Sequence, residues 1–230
     1  MPKPIPVLVV VMSLLALGAA GCADMRGDPG IAARELVVKA RDTVESFRGS
    51  PDMGQFQRQL ATARGVVVLP SVLRAGFIGG AELGSGVLLA RAADGSWGYP
   101  AFYTLGSASI GLQIGVEGTR IIMVLRNEKA VAAVIRHQGK LGADLGLTVG
   151  VMGKGMEAAT TANVGTDIVA FSDSIVGVYG GASLEGSVLA RRNDLNAAYY
   201  GAGAMPAAIV LERRLANPDA DPLRMALAPR

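Results

Sequence analysis

From residue 65 onward, the sequence consists of short apolar runs separated by turns that contain glycine. In one of these runs the apolar residues occupy every second position, with glycine or a polar residue between them: Ile110, Leu112, Ile114 and Val116. A period of two is that of a strand with one buried face. Glycine on the opposite face lets a neighbouring element approach closely or lets the sheet bend. The pattern therefore predicts a mainly antiparallel sheet that is curled or barrel-like.

Strands are predicted wherever such runs lie between turn residues. The predicted strands cover residues 65–70, 77–91, 99–105, 108–117, 120–125, 143–151, 167–172 and 175–189. Residues 79–91 and 180–191 have similar sequences, as expected for two hairpin units of one assembly. We therefore expect one domain at residues 31–216, with its motif core at residues 65–201.

Helical periodicity surrounds the predicted sheet. Asp28 and Pro29 are typical of a helix start, with aspartate at the cap and proline in the first turn. Further helices are predicted after the break at residues 49–51, at 127–136, at 193–200 and from Pro206. The fold class is therefore α+β, with N-terminal and C-terminal helices packed outside the sheet. Residues 217–230 contain three prolines and are expected to form a loose tail.

Composition narrows the possible functions. The 230 residues include one cysteine, Cys22, and one histidine, His137. Disulfides, thiolate metal sites and histidine-rich metal sites are therefore not expected, and no cofactor or metal is predicted. The formal net charge of +3 is too small to indicate a nucleic-acid partner, because such proteins carry a concentrated basic face.

Cys22 ends a segment with the features of a secretory signal. Lys3 precedes an apolar run at residues 5–17, and small residues lead up to the cysteine. Residues 19–22, Ala-Ala-Gly-Cys, resemble the lipobox of bacterial lipoproteins, whose cysteine takes a diacylglyceryl group. Two alternatives are a plain secretory signal with an incidental cysteine and an uncleaved anchor, although the apolar run is short for a membrane span.

The lipobox resemblance implies a signal peptide at residues 1–21, a lipidated tether at residues 22–30 and a covalent anchor at Cys22. No aspartate directly follows Cys22. The usual bacterial sorting pattern then implies a lipid-anchored protein of the cell envelope, on the outer membrane and facing the periplasm.

Residue types suited to catalysis are present but not grouped. Residues 150–155 resemble a phosphate-binding loop, but that pattern needs glycine at Thr148 and a hydroxyl residue at Gly155. His137 lies near a predicted helix end, where a cation is favourable. The carboxylates are scattered singly: Glu82, Glu117, Asp144, Glu157, Asp167 and Glu185. The sequence therefore predicts no catalytic residues and no enzymatic activity.

Residues 65–201 resemble the SYLF domain, a lipid-binding domain that is also described as an actin-regulator domain in yeast proteins. The segments that carry the resemblance are residues 65–77, 100–105, 111–115, 141–144, 181–186 and 198–201. The resemblance implies binding of membrane lipids rather than catalysis. Eukaryotic members associate with phosphoinositide membranes through a basic, amphipathic N-terminal portion, and some bind actin.

Six basic residues are the candidate contacts for anionic lipid headgroups. They are Lys39, Arg41, Arg48, Arg58, Arg64 and Arg74. Arg74 keeps a basic position in a segment where the family often carries lysine, whereas Leu73 is apolar and Glu82 is acidic. Each cation could instead be an ordinary solvated surface residue. The alternative function is a structural or interaction module that docks another envelope protein.

Overall fold

The computed structural model describes residues 27–76, 79–110, 115–137, 149–154, 166–175 and 187–229. Several sequence predictions lie wholly or partly outside these residues: the leader 1–21, Cys22, the alternating run at 110–116, the resemblance segments 111–115, 141–144 and 181–186, and the carboxylates Asp144, Glu157 and Glu185. No helix in the described ranges is long and apolar enough to cross a membrane.

Seven strands form one sheet. They are β1 (Gly65–Gly76), β2 (Gly79–Ala90), β3 (Ala101–Ile110), β4 (Gly115–Leu125), β5 (Val149–Lys154), β6 (Ile168–Ile175) and β7 (Val188–Arg191). Their order is β5-β6-β4-β1-β2-β3-β7. Neighbours pair antiparallel except β5 and β6, which are parallel. No pairing joins β5 to β7 in the described part of the chain, so the sheet is open there.

In the described part of the chain, two helices precede the first strand, one lies between β4 and β5, and two follow β7. They are α1 (Pro29–Gly49), α2 (Gly54–Thr62), α3 (Glu128–His137), α4 (Asn193–Tyr200) and α5 (Asp221–Leu227). Asp28 caps α1 by accepting a hydrogen bond from the backbone N–H of Gly30 at 2.7 Å. A single π-helical turn, Ala207–Leu211, stands where a last helix from Pro206 was predicted. The α+β class, the mainly antiparallel sheet and the helices at both ends are confirmed.

Side chains alternate between two cores, one on each face of the sheet. Val66 and Val68 of β1 pack with α1 and α2, whereas Val67 and Leu69 pack against α3 and the π-helical turn. We call these the α1 face and the α3 face. Because both faces are covered along this part of the sheet, residues 66–69 form a continuous apolar run rather than an alternating one.

Pro70 does not end β1, although the sequence predicted that it would. The pairing register of β1 shifts between Val68 and Ser71 on one side, and between Leu69 and Val72 on the other. A proline is tolerated in such an irregularity, because its missing N–H is not needed for a ladder hydrogen bond. The strand therefore continues to Gly76. Two other predicted breaks are also absent: β3 continues through residues 106–107, and β4 continues through residues 118–119.

The C-terminal segment is ordered, which corrects the prediction of a loose tail. Leu223 and Leu227 are buried in the core of the α1 face. Trp97 Nε1 donates a hydrogen bond to the carbonyl oxygen of Leu227 at 2.9 Å. Pro218 and Pro222 occupy first turns of short helices, where a missing N–H costs little. The prolines therefore begin helical turns rather than prevent them.

Candidate functional site

Two of the predicted lipid-binding cations lie beside carboxylates on α1. The ammonium nitrogen of Lys39 is 3.4 Å from a carboxylate oxygen of Glu35, one helical turn away. The guanidinium of Arg41 is 2.6 Å from Asp42, whose hydrogen bond and charge raise the pKa of Arg41. Both cations are at least partly exposed, but their charges are largely balanced by these neighbours.

Arg48 and Arg58 make contacts within the protein. Arg48 donates hydrogen bonds to the carbonyl oxygens of Ala226 and Ala228, the latter at 2.7 Å, and so ties α1 to the C-terminal segment. Arg58 is exposed, and its Nε is 3.3 Å from the amide oxygen of Gln55. Arg48 therefore has a structural role, and Arg58 lies on the open surface of α2.

Arg64 and Arg74 lie toward opposite ends of β1. Arg64 precedes the strand and lines a cavity with residues that the sequence did not single out. Arg74 lies near the far end, opposite Glu82 of β2 and Glu117 of β4 in the pairing register. The six predicted cations are thus spread over two helices and both ends of a strand. They do not form one site.

A pair of exposed leucines distinguishes the far end of the sheet. Leu73 of β1 and Leu83 of β2 are register partners, with exposed fractions of 55% and 62%. The outer neighbours of this leucine pair are glycines, Gly118 beside Leu73 and Gly106 beside Leu83. Because these glycines have no side chains, the direct register neighbours do not cover the two leucines from the sides.

The leucine pair lies on the α1 face, beyond the helices that cover it. Val87 of β2 packs in the core of that face, and Leu83 lies four residues away on the same side of the strand. Between them a polar row crosses the sheet. Ser85 Oγ lies 3.4 Å from the hydroxyl of Thr104 and accepts a hydrogen bond from Arg192 at 3.2 Å. The leucine pair is therefore an apolar surface separate from the core.

Sequence reasoning missed the leucine pair as a functional feature. It treated Leu73 only as a departure from a basic family position. A period of two shows which face of a strand a leucine occupies, but it does not show where the covering helices stop. That information depends on tertiary packing, so the sequence does not reveal that Leu73 and Leu83 are exposed.

No metal site is evident in the described part of the chain. There, no group of three or more His, Cys, Asp or Glu side chains is placed to hold a metal ion. The carboxylate of Asp173 instead links β6 to β4. It accepts hydrogen bonds from the backbone N–H of Arg120 at 2.8 Å and from Thr119 Oγ1 at 3.1 Å.

The fold is that of an α+β domain with a seven-stranded sheet and an ordered C-terminal segment. The family model described as "Ysc84: Las17-binding protein actin regulator" matches residues 106–229, more than half of the chain. The chain therefore belongs to the Ysc84 family, in agreement with its resemblance to SYLF domains. The match extends through α5, so the segment predicted to be loose is part of the family domain.

Three relatives show how far the similarity reaches. The SH3 domain-containing protein PJ696.02 of Schizosaccharomyces pombe is 38% identical over 171 residues, 73% of this chain and 39% of the relative. Protein YSC84 of Saccharomyces cerevisiae is 34% identical over 174 residues, 74% of this chain and 37% of the relative. The SH3 domain-containing YSC84-like protein 1 of Xenopus laevis is 32% identical over 166 residues, which are 72% of this chain and 49% of the relative. The chain thus spans less than half the length of these relatives.

Proposed function

We propose that this domain binds membrane lipids, with the leucine pair entering the acyl-chain region of a bilayer. The observation that carries the proposal is the exposure of Leu73 and Leu83 side by side on paired strands. Fully burying one leucine side chain is worth about 1.5–3 kcal/mol. Because roughly half of each side chain is already buried, the pair would contribute about 2 kcal/mol, or about 30-fold in membrane partitioning.

The size of the leucine pair favours a bilayer over a protein partner. A stable protein interface buries about 800 Å² on each partner. Two leucines flanked by glycine and a polar row provide only a small part of that area. Binding to a membrane requires a smaller apolar area, because the free energies of a few inserted apolar side chains and of weak attraction to anionic headgroups add to one another.

We also propose that the protein is an exported lipoprotein of the bacterial cell envelope, anchored through Cys22 in the outer membrane and facing the periplasm. The apolar leader and the small residues before Cys22 support this address. A covalent anchor keeps the domain at high effective concentration near a bilayer. A contact that increases membrane partitioning about 30-fold would then suffice to orient the domain on the membrane.

The proposed role is non-catalytic. Ionisable groups with perturbed pKa values often mark active sites, but here several belong to structural contacts. Burial tends to raise the pKa of Asp173, and the hydrogen bonds and charge of Arg120 outweigh that effect and lower it. The hydrogen bond from Arg192 lowers the pKa of Asp194. Each shift supports a role in folding rather than in a reaction.

Vesicle flotation tests the lipid-binding proposal. A protein that begins at residue 27 lacks the leader and Cys22, so any flotation reports on the domain. We expect it to float with anionic phosphatidylcholine–phosphatidylglycerol vesicles at low salt. The Leu73→Gln/Leu83→Gln variant should lose about 30-fold in partitioning. Met225→Gln is the matched control, because Met225 is 68% exposed on α5.

Failure of the unsubstituted protein to float would overturn the proposal. The second candidate function, docking another envelope protein, would then take its place. It is favoured by the family description, which names Las17 binding and actin regulation for members of the family. In that case chemical cross-linking on intact cells should capture a partner with the unsubstituted chain and lose it with the leucine variant.

A further inference from the structure

A cavity of about 410 Å³ lies on the α3 face, near the end of the sheet opposite the leucine pair. The start of β1, the end of β2, α3 and the π-helical turn surround it. Its described lining includes four arginines: Arg64, Arg91, Arg136 and Arg213. Like charges that share a cavity repel one another, so arginines in this position favour a compensating anion.

Two of these arginines have no partner within the described part of the protein. Arg64 and Arg136 are exposed, and neither side chain has a hydrogen bond or ion pair with a described residue. They come from different elements, Arg64 from the α2–β1 connection and Arg136 from the last turn of α3. Both guanidinium groups are therefore available to a ligand.

The other two arginines are held by uncharged acceptors. Arg213 donates a hydrogen bond to the carbonyl oxygen of Ala90 at 3.1 Å, so it keeps its positive charge in a fixed position. Arg91 lies over the ring of Trp97, 5.5 Å from its centroid, and donates to the carbonyl oxygen of Ala61 at 2.6 Å. Because Trp97 belongs to the core of the α1 face, the charge of Arg91 is not counted toward this cavity.

The backbone of Arg213 is unusual. Its φ is +53°, the one positive value at a non-glycine residue in the described ranges. The left-handed region costs free energy for a residue with a side chain. The surrounding contacts nevertheless hold Arg213 there, with its guanidinium at the cavity.

Two carboxylates oppose the charges of Arg64, Arg136 and Arg213. Glu128 lines the cavity, and Asp94 is close enough for the charge of Arg213 to contribute to lowering its pKa. The Asp94 carboxylate is itself hydrogen-bonded to Ser96 at 2.7 Å. With both carboxylates counted, these three arginines leave an excess of one positive charge, so the cavity favours an anion.

We infer that this cavity binds a phosphate monoester. The planar fork of a guanidinium matches phosphate oxygens in bidentate geometry, and a phosphate monoester carries up to two negative charges. Beside the arginines, Val131, Val210 and Ala132 supply an apolar wall for the organic part of the ester. The proposal does not depend on lipid binding by the leucine pair, because Arg64 and Leu73 are nine strand residues apart, about 30 Å.

Isothermal titration calorimetry on the full chain in a neutral detergent tests the inference. The probes are inorganic phosphate, glycerol 3-phosphate and dihexanoyl phosphatidic acid, at low ionic strength. We expect glycerol 3-phosphate and the phosphatidic acid to bind one per chain. The Arg64→Gln/Arg136→Gln variant should bind at least about tenfold more weakly, since two charge-assisted contacts are lost. Lys39→Gln/Arg58→Gln is the matched control, because it removes two exposed cations away from the cavity.

The three probes distinguish the source of the phosphate. Equal binding of glycerol 3-phosphate and the phosphatidic acid identifies a soluble ester, and tighter binding of the phosphatidic acid identifies a lipid headgroup. The inference is wrong if no probe binds, or if the cavity variant binds like the unsubstituted chain while both have the same thermal midpoint. Glycerol 3-phosphate binding should survive Leu73→Gln/Leu83→Gln, so failure of the lipid proposal would leave this result unaffected.

Discussion

Two glycines explain how β2 can pack closely against the irregular part of β1. Gly86 lies beside the register shift that contains Pro70, and a Cβ on Gly86 would collide with the carbonyl oxygen of Val68. Gly84 is similarly close to Ser71. Glycine at these two positions lets β2 approach the irregular part of β1, the kind of close approach that glycine in a strand predicts.

Asp173 gives a prediction with a defined pH dependence. Its pKa is lowered in the folded protein, so its contribution to stability is present above the unfolded pKa of about 3.9 and is lost as the pH falls through the lower, folded value. Asp173→Asn should therefore lower the free energy of unfolding at pH 7. The difference from the unsubstituted protein should shrink below about pH 4.

Urea unfolding at pH 7 and at pH 3 measures this difference. Asp42→Asn is the control, because Asp42 pairs with Arg41 on an exposed helix surface and should matter little at either pH. A difference between the Asp173 variant and the unsubstituted protein that stays constant from pH 7 to pH 3 would contradict the assignment.

At the scale of elements, α5 closes the α1 face. Arg224 lies over the ring of Tyr99, 4.2 Å from its centroid, and its Nε donates to the carbonyl oxygen of Trp97 at 2.8 Å. Arg48 of α1 donates a hydrogen bond to the carbonyl oxygen of Ala228, directly after α5. The C-terminal segment therefore contacts both α1 and the loop between β2 and β3.

Replacing Leu227 tests whether α5 belongs to the folded core. Leu227 is 1% exposed, and Leu227→Ala should lower the free energy of unfolding by about 2–4 kcal/mol through the cavity that it leaves. Chemical denaturation measures the change, with Met225→Ala as a control on the exposed side of the same helix. A loose segment would give the same small effect for both substitutions.

The sequence predicted most helices and strands of this fold because their signals are local. Asp28 and Pro29 marked the start of α1, and apolar runs between turn residues marked the strands. The failures occurred where tertiary contacts decide. Pro70 sits in a register shift that only the two neighbouring strands create, and α5 is too short to form without the core beneath it.

The candidate sites were less accessible to prediction than the fold. Counting cations found Arg64, but its companions Arg136 and Arg213 are distant in sequence and meet it only through packing. In contrast, Lys39 and Arg41 looked available and are balanced by nearby carboxylates. A sequence shows which charged residues a protein has. Whether a charged side chain can bind a ligand depends on the groups that surround it in the folded protein.

On the scale of the whole molecule, the sheet separates two different surfaces. The leucine pair lies at one end, on the α1 face, and the arginine-lined cavity lies near the other end, on the α3 face. A bilayer that receives Leu73 and Leu83 leaves the cavity about 30 Å away along the strand. The proposed anchor at Cys22 would keep the domain near a membrane, and the leucine pair would set its orientation.

The depth of the leucine pair in a bilayer tests the central claim most directly. Cys22 is the one cysteine of the chain, so a protein that begins at residue 27 can carry a single spin label at Leu73→Cys or, as a control, at Met225→Cys. With anionic vesicles, we predict that the label at residue 73 becomes more accessible to oxygen than to a water-soluble nickel complex. The label at residue 225 should remain in water. A label at residue 73 that stays water-accessible while the protein is bound to vesicles would contradict the account.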